Sequence, residues 1–142
     1  ARRALGLALA LSGSAAEGVA ECKESERLAT SLGYPWYLAL SQLALAEVFC
    51  EVGDFHGAID AARHAQELFA RYGHAESQWR AHAVLARASR RSGDASTARE
   101  QAARATDVLS KLEALWGAQT WNTYAARPDV RQLRKEVVSS AP

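Results

Sequence analysis

Three arginines with helical spacing are the residues best suited to chemistry in this chain. Arg80, Arg87 and Arg91 stand seven and four positions apart, which puts them on one face of a helix. A guanidinium binds a carboxylate through two parallel hydrogen bonds, so this row predicts a site for an acidic peptide segment. Alternatively, Glu47 and Glu51, which precede Arg87 and Arg91 by 40 positions, pair with them in an exposed network. Such exposed pairs contribute only about 0–1 kcal/mol each.

The histidines and cysteines show no spacing typical of a metal site or a reactive centre. Neither HxxxH nor HExxH occurs, so we expect the four histidines at the surface: His56, His64, His74 and His82. The two cysteines, Cys22 and Cys50, lack a CxxC motif, which favours free thiols in a reducing, cytoplasmic setting. Glu47 and Glu51 flank Cys50 and should raise its pKa, so we expect a small groove-lining residue there rather than a redox sensor.

Other classes of function find little support in the composition. The sequence has no glycine-rich phosphate loop and no nucleophile elbow, which predicts a non-catalytic protein without a cofactor. A formal net charge of +1 disfavours a general nucleic-acid or membrane-surface binder. The arginines have no aromatic platform beside them for stacking bases, and no apolar run approaches the roughly 20 residues of a membrane-spanning helix.

The elements that must position these residues repeat along the chain. Gly53-Asp54 returns 40 positions later as Gly93-Asp94, and a weaker copy stands 40 positions earlier at Gly13-Ser14. A fixed period indicates a repeat architecture. Links of only two or three residues make successive helices antiparallel. The predicted helices span 1–12, 15–32, 35–52, 55–72, 75–92, 95–112, a segment around Trp116 to Tyr124, and 128–138.

Local signals account for the predicted helix ends. Ser14 and Glu17 have the spacing of a capping box, and Pro35 suits a first helical turn. Residues 1–12 alternate leucine with glycine or alanine, yet contain no β-branched residue, so a helix is favoured. That helix is apolar nearly all round, and we expect a preceding repeat to cover it, or a second copy in the isolated chain. Since 128–138 has a polar back typical of an end cap, we expect a C-terminal part of a longer protein.

The small residues of the repeat resemble those of the tetratricopeptide repeat family. From Ala46, a glycine follows after 7 positions, an alanine after 5 more and another alanine after 7 more, and the same spacing begins at Ala86. The first copy has Gly18 and Ser25 at the two alanine positions. The family's period is about 34 residues rather than 40, and Gln42 and His82 stand where its first helix carries tryptophan.

This resemblance covers residues 1–112 and implies an all-α fold. The implied architecture is a right-handed α-α superhelix of three helix hairpins in one domain, 1–142. Its repeats would be about 1–33, 34–73 and 74–113, with a C-terminal cap of one or more helices at about 114–138.

The resemblance also implies where a partner binds, because the first helix of each pair lines a concave groove in that family. A clamp for peptide C-termini is not expected, since its lysine and asparagine are replaced by Leu43 and Glu47 and by Ala83 and Arg87. The implied groove residues are Leu40, Leu43, Glu47, Cys50, Glu51, Arg80, Ala83, Arg87, Arg90 and Arg91.

Arrays with this period are similar to the C-terminal parts of large bacterial signalling and transcription-regulating proteins. The resemblance therefore implies a cytoplasmic interaction module whose partner is a protein or peptide, an acidic one if the arginines bind it. The alternative is a sensor domain that binds a small-molecule effector and relays it to an upstream domain. A deep apolar cavity near Trp36, Tyr37 and Trp79 would favour the sensor, and an open groove would favour the interaction module.

Overall fold

The structure, a computed structural model, describes residues 1–139, and this part of the chain forms seven helices and no strands. The predicted all-α fold is confirmed. The helices are α1 (Arg2–Leu11), α2 (Ala15–Ser31), α3 (Pro35–Val52), α4 (Phe55–Tyr72), α5 (Ala75–Arg91), α6 (Ala95–Ala125) and α7 (Pro128–Val138).

The helices lie in two rows. Each helix contacts the next one in sequence, and in addition α1 contacts α3, α3 contacts α5, and α5 contacts α7. The even-numbered helices lie farther apart from one another, and α4 reaches α6 through the hydrogen bond that Gln66 Nε2 donates to Gln101 Oε1 at 3.0 Å. The odd-numbered helices therefore form an inner row, and α2, α4 and α6 pack outside it. The last helix, which was predicted as an end cap, continues the inner row beside α5.

Glycine and aspartate produce the sharp turns between the helices. Gly53 and Gly93 have φ values of 81° and 91°, a left-handed conformation that glycine adopts without a steric penalty. The following Asp54 and Asp94 cap the next helices by accepting from the backbone N–H of Gly57 and Thr97 at 2.9 and 3.0 Å.

The predicted capping box at Ser14 is wrong. Its side chain makes no capping hydrogen bond, and its ψ is 56° compared with 76° at Asp54. α2 begins without a side-chain cap.

Helix α6 is longer than predicted and bends at Gly117. This residue has φ 74° and ψ 164°, which is not helical, so two helical stretches meet there. The second stretch brings Tyr124 back onto the last hairpin, as expected, where its hydroxyl accepts a hydrogen bond from Trp79 Nε1 at 2.7 Å. Trp79 is fully buried.

Small residues bring the paired helices together. Ala58 and Ala98 are buried at the close approach of their hairpins. In the first hairpin Gly18 takes this place, and a Cβ there would lie 2.6 Å from the carbonyl oxygen of Gly6. A Cβ on Gly6 would in turn lie 2.8 Å from the carbonyl oxygen of Gly18. The α1–α2 hairpin is therefore packed too closely for an alanine at either position.

Polar side chains join neighbouring repeats at the positions where the related family carries tryptophan. Gln42 donates a hydrogen bond to Glu26 of the preceding hairpin. Forty positions later, His82 Nδ1 lies 3.0 Å from Gln66 Nε2 and 2.8 Å from Gln101 Oε1. Hydrogen bonding satisfies these polar groups inside the helix layers, which makes their burial tolerable.

Candidate functional site

An open groove of about 720 Å³ runs along the inner row and touches all four of its helices. We call it the inner groove. α1 contributes two leucines, α3 and α5 contribute seven of the predicted residues, and α7 contributes a mixed polar and apolar wall. Its lining is Leu7, Leu11, Glu47, Cys50, Glu51, Arg80, Arg87, Arg90, Arg91, Asp129, Gln132, Leu133 and Glu136.

A second, smaller cavity of about 490 Å³ lies beside it, and we call it the side cavity. The ion pair between Arg80 and Asp129, with 2.7 Å between Nη2 and Oδ2, belongs to the walls of both cavities. The side cavity is lined by Leu40, Leu43, Glu76, Ser77, Arg80, Trp116, Tyr124, Arg127 and Asp129.

Three of the predicted groove residues lie elsewhere than expected. Leu40 and Leu43 line the side cavity rather than the inner groove. Ala83 lines neither, because it is buried in the apolar cluster that contains Trp79 and Val130. Its small side chain faces the packing between helices, so it offers no surface to a partner.

Helix α7 of this chain supplies a carboxylate to two residues of the arginine row, Arg80 and Arg87. Arg80 pairs with Asp129 at 2.7 Å, and Arg87 Nε pairs with Glu136 Oε2 at 2.6 Å. Arg90 Nη1 lies 3.3 Å from Ser139 Oγ. Each partner stands 49 positions after its arginine. A constant offset means that α5 and α7 run parallel and in register.

Sequence reasoning missed this pairing, although a signal for it exists. Asp129 and Glu136 are seven positions apart, as are Arg80 and Arg87. Matching spacings on two helices place two opposite charges at equal heights when the helices lie parallel. The expected acidic segment is thus already present in the molecule.

The predicted network between α3 and α5 also has different partners. Glu51 pairs with Arg87, at 3.5 Å between Oε1 and Nη1, instead of with Arg91. The Arg91 guanidinium lies over the ring of Phe55, 5.6 Å from its centroid. The predicted Glu47–Arg87 ion pair does not form within residues 1–139. Helix α7 competes for Arg87 because its Glu136 comes closer.

Burial raises the pKa of the groove carboxylates Glu47 and Asp129, and neighbouring arginines lower it. Burial raises the pKa of Glu47, and the nearby Arg80 and Arg87 only partly oppose this. Burial also acts to raise the pKa of Asp129, but hydrogen bonds from Arg80 and Arg127 outweigh it and lower that pKa to about 2. Asp129 is therefore held as a carboxylate, whereas the charged form of Glu47 is disfavoured.

The two cysteines are free thiols that are poorly suited to redox chemistry. Burial is the largest cause that raises the pKa of Cys50 to about 11, and Glu51 and Glu47 add to it against Arg87. Burial likewise raises the pKa of Cys22 to about 11. Because the thiolate is the reactive form, neither residue is activated as a nucleophile at neutral pH.

Of the aromatic side chains named as possible cavity walls, Trp36 and Trp79 pack into the protein, whereas Tyr37 is 55% exposed and lines neither cavity. Trp36 makes edge contacts with Phe69 and His74, at centroid distances of 5.6 and 4.5 Å. The Tyr124 hydroxyl donates to Glu76 Oε1 at 2.8 Å, and burial is the largest cause that raises its pKa to about 12. The aromatic wall of the side cavity consists of Trp116 and Tyr124 instead.

One histidine departs from the surface position that we expected. His82 is mostly buried between hairpins, and burial lowers its pKa. Across residues 1–139, no three His, Cys, Asp or Glu side chains are grouped so that they could hold a metal ion. In the same part of the chain, no helix combines the length and the apolar character needed to cross a membrane.

The chain was compared with protein-family models, curated proteins and solved structures, and none of them matches it.

Proposed function

We propose that this chain is a non-catalytic interaction module that binds a peptide or protein segment in the inner groove. In this proposal the two helix rows form a right-handed superhelix of the tetratricopeptide type. The module serves as the regulatory part of a larger bacterial cytoplasmic signalling or transcription-regulating protein. The observation that carries the proposal is a groove of about 720 Å³ with walls from α1, α3, α5 and α7.

The shape and lining of the inner groove favour a chain segment over a small molecule. Small-molecule sites are typically concave, mostly apolar and enclose most of the ligand. The inner groove is open and alternates charged side chains with leucines from α1 and α7. Grooves between helices with both kinds of side chain suit a peptide, whose backbone or helix face can lie along them.

The side cavity supports the second candidate, a sensor for a small-molecule effector. Its volume of about 490 Å³ lies within the usual range of ligand pockets, about 300–1,000 Å³, although it is more open than the inner groove. Trp116 and Tyr124 offer aromatic faces there, while Arg80 and Arg127 pair with the carboxylates of the same lining, Glu76 and Asp129. The ligand class that fits this lining is a small aromatic compound without net charge.

The test is selection of a displayed library of random 12-residue peptides on the immobilised protein. The groove variant combines Leu11→Glu with Arg91→Glu, two exposed residues of the inner groove. The matched control combines Leu115→Glu with Arg99→Glu, two exposed residues of α6 outside both cavities. We expect peptides that are enriched on the unchanged protein and on the control, and depleted at least tenfold on the groove variant.

Equal enrichment on all three proteins would contradict binding in the inner groove. Absence of any enriched peptide, together with thermal stabilisation by uncharged aromatic compounds that Trp116→Ala abolishes, would favour the sensor function. Circular dichroism of both double variants confirms that each is folded before selection.

A further inference from the structure

Gly117 is the residue at which α6 bends and the chain turns back on itself. Its φ of 74° and ψ of 164° form a backbone conformation that is essentially restricted to glycine. The residues on both sides are helical, so this one residue interrupts a helix that otherwise runs from Ala95 to Ala125. Within the described part of the chain, a Cβ built on Gly117 would meet no atom from elsewhere within 4 Å. The backbone conformation of one residue therefore decides whether α6 is bent or straight.

The sequence on both sides of the bend favours a straight helix. No proline stands between Ala95 and Arg127, and the strong helix formers Leu115 and Ala118 lie close to Gly117. Glycine itself is tolerated inside a helix at a modest cost. A straight α6 of 31 residues is therefore a second conformation that this sequence supports.

Residues 118–138, which we call the C-terminal segment, fold onto α5 and onto the part of α6 before the bend. Trp121 and Val130 are buried in one apolar cluster with Trp79 of α5 and Leu109 of α6. The ion pairs that α7 makes with the arginine row also lead to α5. The segment is thus held by one continuous surface, and the same segment of an identical chain fits that surface equally well.

Straightening α6 would remove the C-terminal segment from its own α5. The apolar side chains of the segment and of α5 would then meet water, which is unfavourable for a single chain. Two copies that straighten together avoid this exposure, because each segment packs on the α5 of the other copy. Exchange of an identical element is a low-cost route to a dimer, since it keeps the contacts of the monomer.

We propose that two copies of this chain form a dimer by exchanging their C-terminal segments about Gly117. In this dimer α6 is straight, and α7 of each copy lies beside α5 of the other. Because α7 forms one wall of the inner groove, each groove of the dimer is completed by the other copy. The inference goes beyond the proposed function and does not depend on it.

The first test is sedimentation velocity of Gly117→Ala. Alanine is disfavoured at φ 74° and ψ 164° and favoured in a straight helix, so this variant should form the exchanged dimer. We expect a dimer dissociation constant at least about tenfold lower than that of the unchanged chain.

The matched control for this test is Gly73→Ala. Gly73 also has a positive φ, of 66°, and lies between two helices. The next residue, His74, is non-helical as well, with φ −95° and ψ 85°, so this substitution does not join α4 to α5. Gly73→Ala should therefore associate no more tightly than the unchanged chain.

The second test identifies the exchanged segment, because association through α1 would also give a dimer. Two chains carry Gly117→Ala, one with Arg87→Glu and the other with Glu136→Arg. Either chain alone places like charges between α5 and α7, whereas exchange between the two chains places opposite charges at both sites. Native mass spectrometry of the mixture, with one chain isotope-labelled, should show mixed dimers well above the half that random pairing gives.

The matched control for the second test reverses an ion pair that does not cross the bend. Arg104 and Glu100 pair at 2.7 Å within α6, so the two residues stay on the same copy after exchange. Chains with Gly117→Ala and either Arg104→Glu or Glu100→Arg should therefore pair at random.

Three results would overturn this inference. They are a monomeric Gly117→Ala, equal association of Gly117→Ala and Gly73→Ala, and random pairing of the Arg87→Glu and Glu136→Arg chains. The peptide selection tests the proposed function separately, so either proposal can fail without the other.

Discussion

The first hairpin and the last part of the chain hold their helices together by different means. In the α1–α2 hairpin, glycines bring two backbones into contact, and the leucines of α1 remain partly exposed. Around α5, the buried ring of Trp79 and the ion pairs to α7 join the helices. The inner groove lies between these two regions, so one of its walls is apolar and the other is charged and paired.

This difference shows that the repeat fixes where equivalent side chains lie but does not fix their chemical type. Leu7, Glu47 and Arg87 occupy equivalent positions in successive repeats. All three line the inner groove, yet within residues 1–139 one is apolar, one is an acid without an ion-pair partner and one is a paired base. A regular scaffold can therefore present a specific sequence of side chains to a partner.

The largest effect should come from Trp79→Ala in the α5–α7 region. The indole is fully buried and donates to Tyr124, so its removal leaves a cavity and should lower the free energy of unfolding by about 3–5 kcal/mol. Urea denaturation measures the loss. The control is Leu115→Ala at an exposed position of α6, which should change stability by less than about 0.5 kcal/mol. A loss no larger than that of the control would show that the indole does not join these helices.

Gly18→Ala should destabilise the protein, whereas replacing glycine by alanine inside a helix usually stabilises it. Alanine normally stabilises a helix interior by about 1 kcal/mol relative to glycine. Here the added Cβ would meet the Gly6 carbonyl oxygen, so we expect a loss of about 1–3 kcal/mol in urea denaturation. Stabilisation by Gly18→Ala would show that the backbones of α1 and α2 are farther apart than described. Close glycine packing would then no longer distinguish the first hairpin from the α5–α7 region.

Glu47→Gln should give the smallest change and should stabilise the protein by about 1 kcal/mol at neutral pH. The pKa of Glu47 is raised in the folded state, so the folded chain holds its proton at pH values where the unfolded chain has released it. The contribution of Glu47 to stability therefore falls as pH rises above about 4.5, the ordinary pKa of a glutamate. The full loss of stability is reached above the pKa that Glu47 has in the folded state.

Thermal denaturation between pH 4 and pH 8 measures this dependence. The advantage of Glu47→Gln should be smallest near pH 4 and grow to a plateau as pH rises. Glu51→Gln is the matched control, and it should bring no gain because Glu51 pairs with Arg87. An advantage for Glu47→Gln that is the same at all pH values would contradict an unpaired, ionisable carboxylate at this position.

Much of the fold could be predicted from the sequence because its signals are local. Gly53-Asp54 and Gly93-Asp94 mark helix ends through backbone conformation and capping, which depend on a few adjacent residues. The same reasoning failed at Ser14, where the hydroxyl makes no cap, and it ended the helix that starts at Ala95 near residue 112, whereas that helix runs on to the bend at Gly117.

The groove was only partly predictable because lining and pairing depend on distant neighbours. The family resemblance implied ten groove residues and seven of them line the groove, but Ala83 belongs to the same set and is buried. Nor did local pattern show that α7 lies beside α5, which decides the partners of Arg80 and Arg87.

The sequence by itself determined the helices, most of their ends and the 40-residue repeat, because these follow from backbone conformation and from small residues at a fixed period. Only the tertiary structure decided which charges are paired. Glu47 and Glu51 are the same residue type on the same helix, one turn apart. Within the described residues, Glu51 has a partner and Glu47 has none, because an ion pair requires the two side chains to meet in space, and that depends on how α3, α5 and α7 pack together.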